Sequence, residues 1–231
     1  NDVIALAEQW LSCVEPLGGD CIQLQPSPEQ MYPDLMYMPH CWTRSVDGLL
    51  TDWPDPCWIA LDQIYAPDPN DLLSAKYAVC WDPCADKFYA AIVVEDSQHV
   101  FESAPTNWNT SDRAEIYVQA DPNGGESWGS TSFNTAYDTA QQYIVGYQNI
   151  IPGWAWSVFG HGTYLPGDIE PGDADFDEAA RISGDTITYE ISARAWQWYG
   201  GRSAPIIPSE PRPLAPGMHV ALDVAVGSRS W

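Results

Sequence analysis

Residues 81–96, WDPCADKFYAAIVVED, decide the fold. Trp81-Asp82 close one extended run, Pro83-Cys84-Ala85 turn the chain, and an aromatic-aliphatic run follows that ends on two acids. With AKYAVCWD (75–82) ahead of the turn and KFYAAIVVED (87–96) behind it, the segment reads as a β-hairpin. Working outward, WIALDQIYA (58–66) alternates in part, and RAEIYVQAD (113–121) alternates and runs into the turn signal DPNGG. QQYIVGY (141–147) and WAWSVFG (154–160) are two more strands. ARISG (180–184) and DTITYEISARAW (185–196) form a second hairpin across Gly184-Asp185, and GMHVALDVAVG (217–227) is the last strand. Many short β runs with turn punctuation predict an all-β protein, an antiparallel β-sandwich or barrel. No repeat of 20–50 residues is evident.

The N-terminal texture differs. NDVIALAEQWLSC (1–13) predicts a helix, with Asp2 as cap and Val3, Ile4, Leu6, Ala7, Trp10 and Leu11 on one face. Residues 14–40 are rich in Pro and Gly and read as an extended arm. The expected division is therefore a helix and Pro-rich arm over 1–45 and a β-sandwich over 46–231.

The chain has 231 residues, 45% of them hydrophobic, enough for a sizeable core. Nine Lys and Arg face 32 Asp and Glu, a formal net charge of −23. That balance argues against phosphate neutralisation on nucleic acid and against an anionic membrane surface. It suits calcium or a neutral partner such as a sugar. No run has the length of a transmembrane helix, and no signal peptide starts at Asn1. The six cysteines, Cys13, Cys21, Cys41, Cys57, Cys80 and Cys84, all fall in the first 84 residues. No C-x-x-C pair occurs among them, so up to three disulfides in a secreted, extracellular protein are expected. Neighbour pairing (Cys13–Cys21, Cys41–Cys57, Cys80–Cys84) is one of the fifteen connectivities six cysteines allow. It is favoured because short loops close easily.

No Gly-x-Ser-x-Gly, phosphate-cradling loop or His-Glu-x-x-His occurs, so the expectation is a protein that is not an enzyme. The four histidines are scattered without metal-ligand spacing. Twelve Trp and twelve Tyr are the informative excess. Sugars present flat C–H faces that pack on indole rings, while their hydroxyls bond acids and amides. Trp108 sits in the polar loop SAPTNWNTSDRAE just before a strand, a place where a large ring suggests binding. Trp128, Trp154, Trp156, Trp196 and Trp198 are further candidates, whereas Trp58 and Trp81 fall at core positions. Asp82, Glu95, Asp96, Asp112, Glu115 and Asp121 stand at strand ends, where calcium takes oxygen ligands. Asn109-Thr110-Ser111 fits the N-glycosylation pattern.

The order VDGLLTDW, AKYAVCWDPCADKFYAAIVVED, WNTSDRAEIYV, AQQYIVGY, ITYEISARAW and PGMHVALDVAV resembles family 9 carbohydrate-binding modules and the wider DOMON-like sandwich group over about residues 46–227. The resemblance implies a calcium-stabilised β-sandwich that binds sugar chain ends between two Trp rings, without catalysis. By position, Trp108 matches the first stacking Trp and Glu115 the following acid that bonds sugar hydroxyls. Asp112 competes with Glu115 for that role, and Asn107 and Asn109 stand nearby. Gln142 and Tyr143 match a Q-Y pair, with Ile144 where the family often has a basic residue. Asp96, with Glu95 beside it, matches an acid that ligates calcium. The second stacking Trp usually follows the last strand, where this chain offers Trp231. DVIALAEQWLSC resembles the second helix of dockerin-like repeats of secreted planctomycete proteins.

Two rival readings accompany the sugar-binding one. An acidic, disulfide-bonded sandwich with a long arm suits a structural subunit of an extracellular or cell-surface filament, self-associating by strand or arm exchange. A DOMON-like domain also suits haem, with Met36, Met38, His40, Met218 and His219 as possible axial ligands.

Overall fold

The computed structural model describes residues 7–10, 36–37, 44–53, 58–62, 72–101, 111–120, 140–147, 155–161, 176–198, 210–215 and 218–228. The hairpin at its centre follows from the sequence. Strand β4 (Leu72–Asp82) and β5 (Lys87–Asp96) pair antiparallel from Leu72↔Asp96 to Asp82↔Lys87. Asp82 stops the first strand by accepting the Cys84 N–H at 2.8 Å, which bends the chain as an Asx turn does. Asp86 completes the reversal with φ of 54°, a region Asp tolerates.

Among the described residues eleven further strands are long or short according to their neighbours. They are β1 (Ala7–Trp10), β2 (Met36–Tyr37), β3 (Ile59–Ala60), β6 (Arg113–Gln119), β7 (Ala140–Tyr147), β8 (Ala155–His161), β9 (Phe176–Ser183), β10 (Thr186–Ala193) and β11 (Trp196–Trp198). Strands β12 (Glu210–Pro211) and β13 (His219–Gly227) complete the set. One sheet runs β2-β1-β13-β6-β7-β8, the other β3-β4-β5-β10-β9, and β11 pairs with β12. The expected β-sandwich is thus the observed architecture. Gly184, at φ +63°, makes the two-residue turn between β9 and β10, as Gly184-Asp185 announced.

Alternation sends Ala75, Tyr77, Val79 and Trp81 of β4 and Phe88, Ala90, Ile92 and Val94 of β5 into the space between the sheets. They meet Ala114, Ile116 and Val118 of β6, Tyr143 and Val145 of β7, and Val220, Leu222 and Val224 of β13. The ring of Tyr143 stacks on Phe176 at 5.2 Å and meets Phe88 edge-on at 5.9 Å. Trp81 is fully buried there, and Trp58 is half-buried with the Lys76 ammonium over its ring at 4.9 Å.

The run FYAAIVV is apolar at successive positions because both faces of β5 are covered. Tyr89 and Ala91 point away from the main core into a second cluster with Trp53, Ala78 and Cys80. Glu190 of β10 pins that cover. Its carboxylate accepts the Gly48 N–H (2.6 Å), the Asp47 N–H (3.1 Å) and the Trp53 Nε1–H (2.8 Å). The Arg44 guanidinium lies 4.8 Å over the Trp53 ring. Gly48 has φ of +75°, and a Cβ there would press on Arg181, so glycine is required twice over.

Two expectations are corrected. Residues 7–10, inside the segment expected to be helical, form β1 and pair antiparallel with β13 from Ala7↔Leu222 to Trp10↔His219. The N–H and C=O groups along the edge of β13 offer hydrogen bonds that outweigh a weak helical propensity. The remainder of 1–35 lies outside the described residues, as do Cys13, Cys21, Cys41 and Cys57. Cys80 is disulfide-bonded whereas Cys84 is an exposed free thiol, so the neighbour pairing Cys80–Cys84 does not hold. Cys80 sits within β4 facing the Trp53 cluster, and Cys84 projects from the turn.

Burial pushes the Glu190 carboxyl up to about 7, against the opposing pull of the Asp47 and Gly48 N–H groups and the Trp53 indole. A folded-state value above the unfolded one means that stability is fully present below the unfolded value and is lost as pH rises through about 7. Thermal unfolding between pH 4.5 and 8 therefore falls more steeply for the parent protein than for Glu190→Gln, whose amide does not titrate. Equal slopes for the two proteins would disprove the assignment.

Candidate functional site

Strand β6 divides its side chains between two environments. Ala114, Ile116 and Val118 enter the core, so Arg113, Glu115, Tyr117 and Gln119 share the opposite face. The register of β6 with the neighbouring strands is fixed. Arg113 pairs in register with Gly227 and Gly146, Glu115 with Ala225 and Ile144, Tyr117 with Asp223 and Gln142. The result is a polar rib along β6 with low walls on the β13 side.

Glu115 is the hub of the rib. It accepts a hydrogen bond from Arg113 Nε at 2.5 Å and another from the Tyr117 hydroxyl at 2.5 Å. The guanidinium also donates to the Ser111 carbonyl at 3.3 Å. The side chains of Arg113 and Glu115 keep only 14% and 8% of their surface, so the pair is a largely desolvated, charge-assisted contact. Gly227 makes room for it, because a Cβ there would collide with Nη1 and Cζ of Arg113. Burial, with Glu115 second, holds the Tyr117 hydroxyl far above the ordinary tyrosine value, so it stays a donor. Burial likewise raises the Asp223 carboxyl.

The residues expected at a site separate under this geometry. Glu115 lies on the rib, and Gln142 stands opposite Tyr117 in β7. Ile144, where a basic residue was the family's habit, is fully buried beside Glu115, and the cation comes instead from Arg113 two residues along β6. Tyr143 does not join them. It points into the core at 1% exposure, with its hydroxyl donating to the Arg194 carbonyl at 3.0 Å. Asp112 also leaves the rib. Its carboxylate is buried, accepts the Val100 N–H at 2.8 Å and lies beside Asp96. Trp108, Asn107, Asn109 and Trp231 lie outside the described residues, as do Met38 and His40. Met36 is in β2 and His219 in β13, with β1 between them, and the Met218 Sδ accepts the Ala215 N–H at 3.2 Å.

Glu95 and Asp96 do not serve one ion. As successive residues of a strand they point to opposite faces. Glu95 is exposed and accepts the Ser74 hydroxyl at 2.9 Å, whereas Asp96 is buried and grouped with His99 and Asp112. An imidazole nitrogen in that group is foreign to calcium, which takes oxygen ligands. The expected calcium therefore does not fit it. Arg113, Tyr117 and His99 were missed from sequence. Stepping by two from Glu115 finds the first two.

Two solved structures resemble the chain in fold. Both are of a carbohydrate binding module family 9 from Caldicellulosiruptor kristjanssonii. The one in complex with glucose matches with a TM-score of 0.54 and 18% identity over 84% of this chain and 79% of that one. The one in complex with cellotriose matches with a TM-score of 0.53 and 18% identity over 83% and 75%. No family profile and no curated protein matches the sequence. At this identity the likeness establishes a family-9-like β-sandwich.

Substituting Gly227 by Ala is expected to push the flexible Arg113 guanidinium off Glu115, which leaves a buried carboxylate without its cation. The unfolding midpoint should fall by more than about 3 °C relative to the parent. The Arg113 Nε–H resonance should lose its hydrogen-bonded position in NMR spectra. An unmoved resonance would show that the guanidinium does not lie across Gly227.

Proposed function

We propose that this chain is a secreted, non-catalytic carbohydrate-binding module that holds glucan chains or chain ends. The observation that carries the reading is the Arg113–Glu115–Tyr117 rib on the face turned away from the core. A carboxylate already oriented by two donors is an acceptor of fixed direction for sugar hydroxyls. Trp108 precedes Ser111 by three residues in the segment leading into β6, and supplies the indole on which a sugar ring stacks. The neighbours in fold are complexes with glucose and cellotriose, both neutral, and a chain of charge −23 suits a neutral ligand better than an anionic one. The disulfide at Cys80 supports an oxidising, extracellular setting. Among the described residues no helix is long and apolar enough to cross a membrane.

Titration of the full chain with glucose and cellotriose, followed by calorimetry or NMR, should give dissociation constants of roughly micromolar to millimolar order. Trp108→Ala and Glu115→Gln should each weaken binding at least about tenfold, which corresponds to about 1.4 kcal/mol. Tyr143→Phe should leave it unchanged. If neither sugar, nor xylo- and manno-oligosaccharides, perturbs the spectra, the reading is wrong.

One observation favours a second reading. Strand β1 lies on the edge of β13, and the same pairing made by the arm of another copy would chain subunits together. Light scattering of the native protein then shows a mass rising with concentration, and a constant monomer mass dismisses the idea.

A further inference from the structure

Asp96, His99 and Asp112 bring one ligand atom each to within 4.8 Å of one another. Both carboxylates are in the interior, Asp96 at 1% and Asp112 at 3% exposure. Two acids this close and this dry repel each other unless a cation or a proton lies between them. Neutral groups donate hydrogen bonds to both. Asp96 accepts the Gln98 N–H at 2.8 Å and the Ser228 hydroxyl at 2.9 Å, and Asp112 accepts the Val100 N–H at 2.8 Å.

His99 identifies what belongs there. Its Nε2 lies 3.1 Å from the Gly184 carbonyl, which only accepts, so Nε2 carries the hydrogen. Nδ1 exposes less than 1 Å² and has no hydrogen-bond partner. In the neutral ring Nδ1 is therefore a buried lone pair, the nitrogen left to bind a cation. The ring is held in place, stacked on Phe101 at 5.6 Å, with Phe101 packed in turn on Tyr147 at 4.9 Å. A carbonyl on the far nitrogen of a ligating imidazole, and neutral donors on the ligating carboxylates, form the outer shell that metal sites use to orient their ligands.

We infer that Asp96, His99 and Asp112 form a site for a borderline divalent cation, zinc foremost, at the foot of the segment that carries Trp108. One nitrogen and two carboxylate oxygens fit zinc, which binds both atom types at about 2.0–2.2 Å, and leave a fourth position for water. The site joins the two sheets. Asp96 ends β5 of one sheet, Asp112 immediately precedes β6 of the other, and Ser228, which holds Asp96, follows β13. Val100 and Asp112 also exchange a second bond, Asp112 N–H to the Val100 carbonyl at 2.8 Å. An ion here fixes the approach to residue 102 and the exit from residue 110 at one point. The consequence for sugar affinity rests on the function proposed above, whereas binding of the ion does not.

The test uses the full chain, stripped of metal by chelator and dialysis and titrated with zinc by calorimetry, with cobalt absorption as a check on ligand type. The parent should bind one zinc and melt at a higher temperature with it. A large excess of calcium should not displace the zinc. His99→Gln and His99→Phe should keep the β-sheet circular dichroism and lose at least about 100-fold in zinc affinity. Glu95→Gln, on the opposite face, should bind zinc as the parent does. Unchanged zinc affinity in the two His99 variants overturns the site. So does a parent that binds no zinc, and so does calcium bound as tightly as zinc. Stripped protein should bind cellotriose more weakly than loaded protein. Equal cellotriose affinity refutes the link to the 102–110 segment, while absence of cellotriose binding in both states refutes only the sugar reading.

Discussion

Alternation along β6 is the constraint from which the proposed site follows. A strand turns successive side chains to opposite faces, so a run that must feed Ala114, Ile116 and Val118 to the core has no choice about Arg113, Glu115 and Tyr117. The three polar groups then lie two residues apart along one line, close enough to bond one another. Each satisfies another's burial: the guanidinium and phenol are the donors that let Glu115 remain at 8% side-chain exposure. A one-residue slip in register would place the acid in the core and dissolve the rib.

The five-stranded sheet solves a different problem. Its central strands are apolar on both faces, and the second face needs a cover that is not a sheet. Residues 44–53 provide it, held by three donors converging on Glu190 from 137 to 143 residues away in sequence. The carboxyl acts as a long-range fastener that holds best below about 7, since burial resists the ionised form more than the N–H donors favour it. Backbone and indole N–H groups hold it directly, and the Arg44 guanidinium is near enough to feel its charge.

Hairpins were the most legible part of the sequence because their signals are local. Pro83 to Asp86 and Gly184-Asp185 turn the chain by their own backbone preferences, and the flanking strands fall where the alternation begins and ends. The helix expected over residues 1–13 was misread for the complementary reason. Its apolar spacing is a weak local preference, and the hydrogen bonds on offer along β13 belong to a strand more than 200 residues away. The pairing of Cys80 with Cys84 failed in a similar way: short separation in sequence does not help when one thiol faces a packed cluster and the other faces water.

By itself the sequence determined the fold class, the positions of the central strands and the acidic charge, because each depends on composition or on neighbours within a few residues. Tertiary structure alone decided that Tyr143 is core and not ligand surface, that the cation beside Glu115 is Arg113, and that Asp96, His99 and Asp112 meet. Those outcomes depend on which strand lies beside which and on how far each is shifted along its neighbour. Register is set by the summed pairing and burial of whole strands, and no window of a few residues contains that sum.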